Sequence, residues 1–61
     1  MLNPAAARLR AYRDGTADLA WAEVVRLVGD LSAADRVAVL TERGPTLEEA
    51  RAMRARGTLR A

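Results

Sequence analysis

The side chains of this chain that could do chemistry are eight carboxylates, ten arginines, four threonines, one serine and one tyrosine; its 61 residues hold no cysteine, histidine or lysine. Zinc sites built on Cys and His, disulfides, haem attachment and thiol nucleophiles are therefore excluded. The missing lysine removes P-loop and Schiff-base chemistry. Carboxylates alone can hold Mg²⁺ or Ca²⁺, but no D-x-D-x-D-G run occurs in the chain. Ser32 stands where a helix needs a cap. The sequence thus assigns no catalytic, cofactor-binding or metal-binding residue, and it predicts a protein that is not an enzyme and takes no small-molecule substrate.

The formal net charge is +2. Arginine used to the exclusion of lysine, beside fourteen alanines, is the mark of a GC-rich coding sequence more than of a polyanion partner. No apolar run approaches the roughly 20 residues of a membrane span. Arg8, Arg10 and Arg13 interrupt any signal-peptide core, so a cytoplasmic address is expected and a membrane partner is not.

Turn and capping residues divide residues 1–61 into one small all-α domain, a compact bundle of three to four short helices. Asn3-Pro4 is a cap followed by a first-turn proline, and Asp14-Gly15 ends the helix that follows. Thr16 is the expected cap of a second helix running to about Val28, with Gly29 as its stop. Ser32 and Asp35 approximate a capping box for a third, which Gly44-Pro45 closes. Thr46 and Glu49 form a full S/T-x-x-E box for a fourth, closed by Gly57. No segment alternates as a strand does.

Helical periodicity then distributes the apolar residues. On the second helix Glu23, Arg26 and Asp30 share a narrow polar stripe, while Trp21, Val24, Val25, Leu27, Val28 and Leu31 spread over an arc of roughly 160°. A helix packed on one neighbour needs only about 100°, so this helix is expected at the centre, with surface left over. On the third helix Ala33, Val37 and Leu40 are expected to face inward, with Val39 out among the charges. The fourth offers Leu47, Ala50 and Met53 to the core, with Arg54 intruding on that face.

The surplus apolar surface predicts self-association or docking on another protein: an adaptor, docking element or small regulator or inhibitor of phage type, with Trp21, Val24, Val25, Val28 and Val39 as the interface. The alternative is a small DNA-binding transcriptional regulator. The third and fourth helices have about the connection length of a helix-turn-helix, and Arg51, Arg54, Arg56 and Arg60 would contact phosphates, since a planar guanidinium can engage two oxygens. Leu27, Leu31, Ser32, Arg36, Val39 and Leu40, followed by Gly44 and Leu47-Glu48-Glu49-Ala50, resemble the first two helices of the last DNA-binding region of bacterial sigma factors. That resemblance implies a further recognition helix in the major groove. After Met53 the chain has only Arg54–Ala61, interrupted by Gly57, so a full recognition helix is not expected.

Overall fold

Proline fits a first helical turn, where its missing N–H is not needed, and strong helix formers follow Pro4. Accordingly the first helix, α1, spans Pro4–Asp14, and α2 (Trp21–Asp30), α3 (Ala33–Thr41) and α4 (Leu47–Ala55) follow. The computed structural model describes residues 4–57, among which there is no strand. The all-α expectation holds; the proposed Asn3 cap lies outside the described residues.

Most of the punctuation works as its chemistry requires. Gly15 adopts φ 85° and its N–H donates to the Tyr12 carbonyl at 3.2 Å, ending α1 in the left-handed turn that glycine takes without strain. Ser32 Oγ accepts the Asp35 N–H at 3.2 Å to cap α3. The α4 box is complete: Thr46 Oγ1 accepts from the Glu49 N–H at 3.0 Å, and Glu49 Oε1 accepts from the Thr46 N–H at 2.8 Å.

The start of α2 departs from expectation. It begins at Trp21, capped by Ala20 with no side-chain bond, and Gly29 lies inside it. Thr16 instead donates its hydroxyl to the Ala11 carbonyl at 3.2 Å, closing α1. The stretch after it is kept out of the helix by Arg54, which donates to the Ala17 carbonyl at 2.7 Å, and by Leu19, which packs against the core. These tertiary contacts outweigh a local capping preference of about 1 kcal/mol. Likewise α3 ends at Thr41, before Gly44-Pro45.

The centre of the fold is α1, not α2 as its broad apolar arc suggested. It packs on each of the other three helices, which touch one another only marginally. Leu9 (0% exposed), Tyr12 and Ala6 meet Val24, Leu27 and Leu31 of the α2 side, Val39 of α3, and Leu47 and Ala50 of α4 in one cluster. Alanines make this possible: Ala5, Ala6 and the fully buried Ala50 let helix backbones approach closely.

The face that α3 turns inward is a second correction. Val39, expected on the surface, is 3% exposed, whereas Val37 and Leu40, expected inside, are 62% and 51% exposed, and Ala33 is exposed as well. Charge sets this rotation. Arg10 Nη2 lies 2.8 Å from Glu42 Oε2 and Arg13 Nη2 lies 2.7 Å from Glu42 Oε1, so the edge of α3 that leads into Glu42 is drawn onto α1. Val39, three residues earlier, goes in with it.

Candidate functional site

Rotating α3 in this way leaves an apolar groove of about 450 Å³. Its α2 wall is Trp21, Val24, Val25 and Val28; Val39 and Leu40 of α3 and Leu47 of α4 complete the apolar lining. Arg13, Glu42, Thr46 and Glu48 supply polar atoms along it. All five residues proposed as an interface from the sequence therefore meet at one site. They differ in what they offer: Val24 and Val39 form the buried floor, Trp21 and Val28 are half-buried, and Val25 is 55% exposed.

Leu40, Leu47, Glu48 and the ion cluster were not foreseen as parts of the site. The missed signal was Arg10 and Arg13, which flank Tyr12 on the inner side of α1 and require a carboxylate from another element. The Glu42 carboxyl is pulled down from 4.5 to about 2, first by the hydrogen bond from Arg10, then by that from Arg13. Arg13 is itself buried, and its Nη1 donates to the Val39 carbonyl at 3.1 Å. That carbonyl belongs to the last turn of α3, where helix oxygens lack intrahelical partners and a positive charge is favoured.

The three described arginines among the four candidate phosphate contacts take up different contacts. Arg54 stacks over the Tyr12 ring, 3.8 Å from its centroid, and its Nη2 donates to the Tyr12 and Ala17 carbonyls at 2.7 Å each. Its Nε is buried without a hydrogen bond; Asp18 Oδ1, 3.5 Å away, gives charge attraction outside hydrogen-bond geometry. Arg54 thus closes the end of α1, as Arg13 closes that of α3. Arg51 sits 4.6 Å over the Trp21 ring at the edge of the groove, a cation–π contact. Arg56 is exposed, and Arg60 lies outside the described residues. The two helices proposed as a helix-turn-helix, α3 and α4, are each fastened to α1 more than to each other.

The polar stripe of α2 is as expected: Arg26 bridges Glu23 at 2.8 Å and Asp30 at 3.0 Å, and Arg8 of α1 reaches Glu23 at 3.2 Å. Among the described residues no three carboxylates gather where they could hold one metal ion, and no helix is long and apolar enough to cross a membrane. Comparison with known proteins finds no matching family model, no similar curated protein and no similar solved structure.

Proposed function

We propose that this protein is a non-enzymatic docking module that receives an apolar segment of a protein partner in the groove between α2, α3 and α4. The carrying observation is the groove itself: valines and a tryptophan on one wall, leucines on the others, with Val25 and Leu40 exposed in those walls and Val37 exposed one turn from Leu40 on α3. Contiguous apolar surface of this kind, rimmed by charge, is the usual form of a protein interaction site. The exclusion of thiol, imidazole and lysine chemistry by composition supports a binding role.

The test compares the wild-type chain with Val25→Asp as baits in the source cell. Val25 is exposed, so the variant keeps its helices, which circular dichroism checks. A protein retained by the wild type and lost by Val25→Asp is the expected result; identical retention by both baits overturns the reading. Polarisation titration of duplex DNA at two salt concentrations addresses the alternative. Affinity that falls steeply with salt favours phosphate contacts; no binding at low salt removes them.

A further inference from the structure

We infer that the partner in this groove is a second copy of the same chain, the two α3 helices crossing antiparallel at Leu40. The inference rests on the docking reading above and deepens it by naming the occupant. Leu40 is at once a wall of the groove and, with Val37, an exposed ridge on its lip. A patch that carries both a ridge and a hollow is self-complementary, which is what a two-fold interface requires. Each ridge then fills the other copy's hollow, and each Val25 comes under the partner's ridge.

Charge selects the same arrangement. Glu48 stands exposed on the groove rim and has no ion pair among the described residues. Arg36 stands exposed on α3 with only a long hydrogen bond, 3.4 Å, to the Leu31 carbonyl. In an antiparallel crossing at Leu40, Arg36, one turn before the crossing, faces the part of the partner copy that follows Leu40, where α3 ends and the chain leads on to α4. The first turn of α4 carries Glu48. A parallel crossing would instead set Arg36 against Arg36. Opposite charges at an interface rim fix register in this way.

Sedimentation equilibrium of the full chain tests this. The wild type is expected at twice its chain mass, and Leu40→Asp, an exposed position whose variant keeps its helical circular dichroism, is expected to weaken pairing by about ten-fold or more. Glu48→Arg alone and Arg36→Glu alone are each expected to be monomeric, because each places like charges together. Mixed in equal amounts they restore the dimer, since both rim pairs are then opposite in sign. A wild type that stays monomeric, a dimer indifferent to Leu40→Asp, or a mixture that fails to pair overturns the inference. A monomer that still captures another protein through Val25 leaves the docking reading standing, whereas one with no Val25-dependent association ends both.

Discussion

Arg13 of α1 donates to the backbone oxygen of Val39, 26 residues further along, at 3.1 Å, and this one bond joins the centre of the fold to the end of α3. The same guanidinium holds Glu42 at 2.7 Å. Replacing it by methionine keeps much of the stem's packing but strands a buried carbonyl, whose loss of partner costs about 1–3 kcal/mol. Arg13→Met is expected to lower the urea midpoint by a stability of about 2 kcal/mol. Adding Glu42→Gln to that variant should cost less than it does in the wild type, which a double-mutant cycle measures.

Stability should also depend on acid. The Glu42 carboxyl has its ordinary value of 4.5 in the unfolded chain and about 2 in the fold, because Arg10 and Arg13 favour its charged form. A depressed carboxyl contributes fully above the unfolded value and loses its contribution as pH falls through the folded one. Urea midpoints should therefore fall from pH 4.5 toward pH 2. Glu23, hydrogen-bonded by Arg26, and Glu49, hydrogen-bonded by Thr46, are lowered too and act in the same direction. Glu42→Gln is expected to flatten the dependence without abolishing it; a slope equal to that of the wild type contradicts the role given to this carboxyl.

The rotation of α3 can be read from a pair of valines. Val39→Ala removes two buried methyl groups and is expected to cost about 1.5–3 kcal/mol from their lost burial and the cavity left behind. Val37→Ala, at an exposed position, should stay within about 0.5 kcal/mol when measured at dilutions where copies do not meet. Reversal of that order in chemical denaturation would restore the inward face expected from periodicity.

Arg54 offers a test of guanidinium geometry. Arg54→Lys keeps the charge but cannot lie flat on Tyr12 while donating to two carbonyls, so it should destabilise the fold by about 1–2 kcal/mol. The near-ultraviolet circular dichroism of Tyr12 should change with it. A lysine variant as stable as the parent would show that the positive charge alone suffices.

The helices and their caps were legible in the sequence because they depend on neighbours: Thr46 with Glu49, Ser32 with Asp35, Gly15 after Asp14. Gly29 and Gly44-Pro45 do not mark the helix ends, and Thr16 lost its capping role to a residue 38 positions away, Arg54, whose grip on Ala17 no local pattern encodes. The identity of the central helix was hidden for a similar reason. Apolar arc width favours α2, but α1 succeeds by being thin, since alanine faces let three helices come close. On α3 the apolar period pointed to Val37 and Leu40, and the Arg10–Arg13–Glu42 cluster overrode it. The five residues named as an interface all line one groove, yet the place of Leu40 in it, beside Val39 on α3, depends on that override.

A hub-and-spoke plan has a consequence for how the molecule comes into being. Without the hub, each spoke has almost no grip on its fellows. Tertiary order must therefore arrive nearly at once, when the hub meets its spokes. A peptide severed from its hub should remain a string of fraying coils, and supplying the hub in trans should gather them again.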